Sequence, residues 1–169
     1  MFNFLTQLIG FIALILLIIV FQREKRSHML ILKILSSIFY GIHFALLGAW
    51  TGSAMNVVAA ARSYVFKQRT EKKWADNKAW LFAFLILIIV SGIFTWGGYY
   101  SLLPMIGTSI STAAFWMKKP RLIRLLCLIG PPFWLVYNII VQSIAGMVTE
   151  LLVVISILVG ILRFDGKKK

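Results

Sequence analysis

The sequence predicts an all-α membrane protein. Seven transmembrane helices form two parallel three-helix repeats joined by a linker helix, with the N-terminus outside and the C-terminus cytoplasmic. Three observations predict this. Of the 169 residues, 60% are hydrophobic, with a mean hydropathy of +0.90. The apolar runs are close to the ~20 residues that a helix needs to cross the hydrocarbon of a bilayer. The connections between them alternate between charged and uncharged.

The first run, 4–21, has no basic segment before it and no small-residue cleavage site after it, so it reads as a retained span rather than a signal peptide. Further runs follow at 29–48, 51–67, 79–96, 100–117, 122–141 and 144–162. QREKRSH (22–28), KQRTEKKWADNK (67–78), KKPRLIR (118–124) and RFDGKKK (163–169) are charged connections. GAWTG (48–52), TWGGYY (95–100) and VQS (141–143) carry no charge. Seven spans put all eighteen Lys and Arg on one side, with Lys33 and Arg62 near enough to snorkel there. Basic residues stay cytoplasmic, which sets the orientation. The net charge of +13 then marks topology, and no nucleic-acid partner is expected. Trp50, Trp96, Tyr99 and Tyr100 stand at the uncharged ends, where an aromatic belt forms.

The chain also repeats. Shifted by 94 residues, 7–69 lies on 101–163 without a gap, with only nine identities in 63 positions. The pattern carries more than the identities: basic turn falls on basic turn, neutral turn on neutral turn, Gly52 on Gly146 and Arg69 on Arg163. Three spans are an odd number, so a direct duplicate would insert upside down. The linker span 79–96 restores the direction. Parallel repeats of this kind place a solute site at their interface.

Few polar side chains lie within the spans. The first repeat has Tyr40, His43 and Asn56, and the same offsets in the second hold Trp134, Tyr137 and Glu150. At 1.5 Å per residue these sit between the outer half and the middle of the bilayer. All six are candidate solute-binding residues. An acid at that depth costs about 2.5–3.5 kcal/mol on insertion scales. Glu150 therefore faces a wet cavity or a partner, with His43, Tyr137 and Asn138 within its reach. Water-poor surroundings disfavour a charged carboxylate, which makes Glu150 the proton-coupling candidate. The alternative is a carboxyl that simply hydrogen-bonds a neighbouring helix. Pro131 and Pro132 interrupt the sixth span and Pro104 lies near the outer end of the fifth; all three are candidate hinges or fixed kinks. Cys127 is the single cysteine, CxxC and Cys/His metal spacings are absent, and no cofactor is expected. There is no HExxH, no Ser/His/Asp set and no paired carboxylate, so no enzyme is expected.

FWLVYNIIVQSIAGMVTE (133–150) resembles the second and third helices of the SWEET and SemiSWEET sugar facilitators, whose pattern is Trp-x-x-Tyr-Gly and then Asn sixteen after the Trp. Trp134, Tyr137 and Asn56 match it directly. Tyr40, His43 and Glu150 are substitutions at matching positions. KILSSIFYGIHFALLGAWTGSAMNVVAAARSYVF (33–66) is similar to the bacterial inner-membrane YgjV family, placed among the SWEET-like PQ-loop relatives. The resemblance implies the 3+1+3 plan, a multi-pass protein of the bacterial inner membrane, and a solute pocket lined by Tyr40, Asn56, Trp134 and Glu150. The chain departs from it in lacking the Pro-Gln pair, with Phe21-Gln22 and Phe115-Trp116 in its place.

The leading expectation is a transporter of a small polar solute, sugar-like or vitamin- or nucleoside-like, working by alternating access. Its expected partners are the lipid bilayer and the solute, with a homodimer as one oligomeric arrangement. The alternative class is a SWEET-like membrane protein that binds a ligand or a protein partner without transporting it.

Overall fold

The structure is a computed structural model that describes residues 4–165; the basic end of the tail, 166–169, lies outside the described residues. Among the described residues it is all helical. The elements are α1 (Phe4–Phe21), α2 (Arg26–Leu46), α3 (Trp50–Gln68), α4 (Ala79–Phe94), α5 (Leu102–Trp116), α6 (Pro120–Cys127), α7 (Pro131–Ile140) and α8 (Ile144–Gly160). A wider π turn carries α8 on to Asp165. The helices fall on the predicted runs, with the sixth run divided between α6 and α7.

Their outer faces are apolar, and their polar side chains are turned inward among the buried apolar ones. On α2, Ile31, Leu35, Ile38, Ile42 and Leu46 are exposed at helical spacing, whereas Ser36, Ser37 and His43 are fully buried. On α8, Leu151, Ile155, Leu158 and Leu162 are exposed, while Thr149 and Ser156 are buried. A soluble helix shows the reverse. This inside-out pattern fits a lipid surround, which solvates hydrocarbon and not hydrogen-bonding groups. By length and apolarity α1, α2 and Ile144–Asp165 each suffice to cross a membrane, and α6 with α7 makes a fourth candidate, bent by 45°. α4 is apolar but shorter. α3 is long enough, yet it buries Thr51, Asn56, Arg62 and Ser63, which dilute its apolar character.

The helices pack as a closed ring. α1 touches α2, α2 touches α3, α3 touches α5, α5 touches α6 and α7, α7 touches α8, and α8 returns to α1. α4 stands outside the ring against α3 and α5.

The prolines stand at helix starts. Pro131 and Pro132 open α7 just after the break in the sixth run, where α6 and α7 are bent by 45°. In a first turn proline gives up no intrahelical hydrogen bond. Pro104 is likewise in the first turn of α5, where it removes no ladder bond and forces no kink.

The two neutral turns share one geometry. After α2, Leu47, Gly48 and Ala49 donate backbone N–H groups to His43, Ala45 and Phe44; after α7, Val141, Gln142 and Ser143 donate to Tyr137, Ile139 and Asn138. Every donor and acceptor is displaced by 94 positions. Gly48 holds the left-handed conformation at φ 70°, and Gln142 holds it at φ 55°. A side chain with a Cβ is strained there, and glycine is not. Gln142→Gly is therefore expected to stabilise the protein by about 1 kcal/mol and Gly48→Gln to destabilise it by a similar amount, read as opposite shifts in the melting temperature of purified protein.

Candidate functional site

A cavity of about 80 Å³ lies within the ring. Tyr40, Asn56, Trp134 and Glu150, brought together by their offsets in the sequence, all line it. Most of its lining is paired. Leu17/Ser111, Phe21/Phe115, Lys33/Cys127, Tyr40/Trp134, Phe44/Asn138, Asn56/Glu150 and Ala59/Val153 are seven couples, each 94 positions apart.

One wall is aromatic. Phe44 stacks on Tyr40 at 5.9 Å between ring centroids and on Trp134 at 5.7 Å, so it stands between the two rings expected to flank a solute. Its signal in the sequence was the four-residue spacing from Tyr40, which places both on one helix face. The indole of Trp134 lies over Gly107, where a Cβ would come within 2.6 Å of it. Thr149 donates its single hydroxyl proton to Ala145 O at 2.6 Å. Tyr40 is therefore the donor in its short hydrogen bond to Thr149 Oγ1.

The other wall is polar. Asn56 donates to Gly52 O one turn back, at 2.9 Å. Glu150 is half-buried, and no hydrogen bond or ion pair involves its carboxylate among the described residues. Asn138 Oδ1 is buried without a hydrogen-bond partner. Lys33, expected to snorkel outward, instead lines the cavity; it sits two turns before Tyr40 and shares its face. Arg62 does not snorkel either. It is 0% exposed, with Nη1 donating to Thr112 Oγ1 at 2.7 Å and to Ser111 Oγ at 3.1 Å.

Two predicted site residues act as ties. His43 is 0% exposed. Its Nδ1 lies 2.8 Å from Thr6 O, and its Nε2 lies 2.7 Å from Ser143 Oγ. A carbonyl only accepts, so Nδ1 carries the proton, and Nε2 takes the hydroxyl proton of Ser143. Both ring nitrogens are thus engaged, joining α1, α2 and the α7–α8 turn. Tyr137 accepts from Gly52 N at 2.9 Å, which satisfies a free donor in the first turn of α3. Tyr137 also borders a wider recess of about 590 Å³ at the neutral end, with Trp50, Thr51, Trp96 and Tyr100. Trp50, Trp96 and Tyr99 are exposed, as belt residues are; Tyr100 turns inward onto Tyr137 at 6.2 Å.

The charged end is held by arginines that the sequence reading did not single out. Arg26, on α2, donates to Phe66 O of α3 at 3.0 Å, to Phe115 O of α5 at 2.9 Å and to Met117 O at 2.9 Å. Arg124, on α6, donates to Phe21 O of α1 at 3.1 Å and to Arg23 O at 2.7 Å, and it pairs with Asp165 at 3.0 Å. Phe21 and Phe115 are 94 positions apart, as are Arg23 and Met117. Each guanidinium caps helix C-termini, where free carbonyls and the negative end of the dipole attract a cation. Arg69 lies over the Trp116 ring and pairs with Asp76 at 2.7 Å. Hydrogen bonds from Arg69 and Lys118 hold the Asp76 carboxyl below its ordinary pKa.

A family model described as a bacterial inner membrane protein, Imp-YgjV, matches residues 4–168. The chain is 29% identical over 147 residues to inner membrane protein YgjV of Escherichia coli (strain K12), covering 86% of this chain and 76% of that protein. No solved structure matches the chain.

The contrast between His43 and Glu150 is testable. Replacing His43 by Ala strands the Ser143 hydroxyl and the Thr6 carbonyl, each left unsatisfied at about 1–3 kcal/mol. Glu150→Gln breaks no bond seen here. A large fall in melting temperature for His43→Ala and little change for Glu150→Gln are expected from purified protein.

Proposed function

We propose, from the premise that the chain belongs to the Imp-YgjV family of bacterial inner membrane proteins, that it carries a small polar solute across that membrane by alternating access. In this reading seven spans form the 3+1+3 plan, N-terminus out and C-terminus in, with 79–96 as the linker and α6–α7 as one bent span. The solute is sugar-like or vitamin- or nucleoside-like. Tyr40, Phe44 and Trp134 bound its apolar face, Asn56 and Glu150 bind its polar groups, and Glu150 is the group through which a proton is coupled.

The observation that carries this reading is the cavity whose lining is mostly made of couples 94 positions apart. A site built from matched positions on two units, with every couple split between them, is what two rocking bundles require. The ties at both ends support it. At the neutral end His43 reaches Ser143 and Gly52 reaches Tyr137, each from one unit to the other. At the charged end Arg26 bridges α3 to α5, and Arg124 bridges α6 to α1. A solute leaves only after one set of ties opens. The resemblance to SWEET facilitators points the same way.

Solute flux into proteoliposomes is the direct test. Glu150→Gln combined with Asn56→Ala is expected to abolish flux while the protein still melts cooperatively; unchanged flux defeats the site. Saturable binding without flux in the unaltered protein favours the non-transporting reading instead. The arginine ties have their own test. Cys127 lines the cavity and is the single thiol. Arg26→Ala with Arg124→Ala is expected to raise maleimide labelling of Cys127 several-fold from the cytoplasmic face, and labelling that stays slow counts against a gate there.

A further inference from the structure

We infer that the central cavity selects a small organic anion, a carboxylate or phosphate group on a polar frame, rather than a neutral solute. This rests on the reading of the cavity as the solute site and narrows its ligand class.

The charges around the cavity do not balance. Lys33 and Glu150 both line it. Arg62 stands one layer behind the wall, donating to Ser111, a lining residue, with its guanidinium 5.3 Å from the ring centroid of Phe115. One cation in the wall and one behind it therefore stand against one carboxylate. The local charge is positive with Glu150 ionised and more so with it protonated. No carboxylate pairs with Arg62 among the described residues.

The state of the Arg62 side chain adds a second, independent observation. Nη1 is engaged, but Nε and Nη2 are buried without a hydrogen-bond partner. These two nitrogens carry the parallel N–H bonds along one edge of the guanidinium, the edge that takes a carboxylate or phosphate with two bonds. A buried guanidinium ordinarily has its donors satisfied and its charge paired. Here the unpaired guanidinium contacts Ser111 and Phe115, two lining residues of a cavity that already contains a lysine. An anion in the cavity supplies the missing charge. Asn138 and the Trp134 indole, both in the lining, offer donors for the rest of the solute. The volume of about 80 Å³ limits the ligand held in this form to a few heavy atoms.

The test uses the full chain in detergent, with acetate and inorganic phosphate as probes at constant ionic strength and glycerol as the neutral control. A ligand that binds only the folded state raises the melting temperature with a saturating dependence on concentration. Acetate or phosphate is expected to do so and glycerol is not. Lys33→Met is expected to weaken the anion effect at least about tenfold, Arg62→Met to remove it, and Arg62→Lys, which keeps the charge but not the two-bond edge, to restore part of it. Should Arg62→Met fail to fold, Lys33→Met and Arg62→Lys decide. No saturable anion effect in the unaltered protein, or an effect unchanged in Lys33→Met and Arg62→Lys, overturns the inference. Stabilisation by glycerol alone overturns the anion and leaves the transport reading standing. Anion binding without flux of acetate, phosphate or any other solute removes transport and leaves the anion site.

Discussion

The constraint on which this structure depends is that its polar groups must be answered from within. The helix flanks are hydrocarbon, as the exposed isoleucines and leucines of α2 and α8 show. A hydrogen-bonding group on those flanks would find no partner in lipid. Polar side chains are therefore turned inward, and each must meet a carbonyl, a hydroxyl or another polar group. His43, Tyr137, Ser156, Arg26 and Arg124 satisfy this in full, and all but Tyr137 do so by reaching a carbonyl of another helix. Tyr137 does it by accepting the free N–H at the start of α3. These bonds, rather than apolar burial, distinguish the right helix neighbours from wrong ones, since lipid tails compete equally well for apolar faces.

The groups left unanswered then stand out. The Nε and Nη2 of Arg62, the Oδ1 of Asn138, Ser37 Oγ and Gln68 Oε1 are buried without partners among the described residues. Asn138 lines the central cavity, as does Glu150, and Arg62 contacts the lining residue Ser111. Elsewhere the same bundle spends side chains freely on satisfying carbonyls. Around the cavity, a molecule from outside the chain would complete the set.

Much of this was legible in the sequence. Tyr40, Asn56, Trp134 and Glu150 meet at the cavity because depth in a helix follows from residue count, and a fixed offset of 94 carries depth from one unit to the other. Phe44 and Lys33 shared the face of Tyr40 by helical spacing, but an aromatic and a basic residue each had an ordinary reading, as core and as topology marker. His43 and Tyr137 were read as solute ligands because they are polar and at the right depth. Depth does not say whether a side chain points to the cavity or to a neighbouring helix. Arg26 and Arg124 were hidden among the eighteen basic residues, all of which the positive-inside rule explained without distinguishing any.

The weakness of the sequence repeat has a physical cause. Nine identities in 63 positions understate a likeness that is carried by the backbone. The acceptors match: the carbonyls of Phe21 and Arg23 correspond to those of Phe115 and Met117. The donors do not, because Arg26 opens α2, whereas Arg124 sits a turn into α6. A guanidinium on a long flexible stem reaches the same carbonyls from either place. The neutral turns repeat the lesson, since Gly48 and Gln142 hold one conformation with different side chains. A carbonyl is present whatever the residue. An interface built on carbonyls can therefore keep its geometry while the side chains around it change, as they do at the cavity, where Asn56 stands against Glu150 and Lys33 against Cys127. The backbone keeps the two turns and the capped carbonyls alike while the side chains around them become unlike.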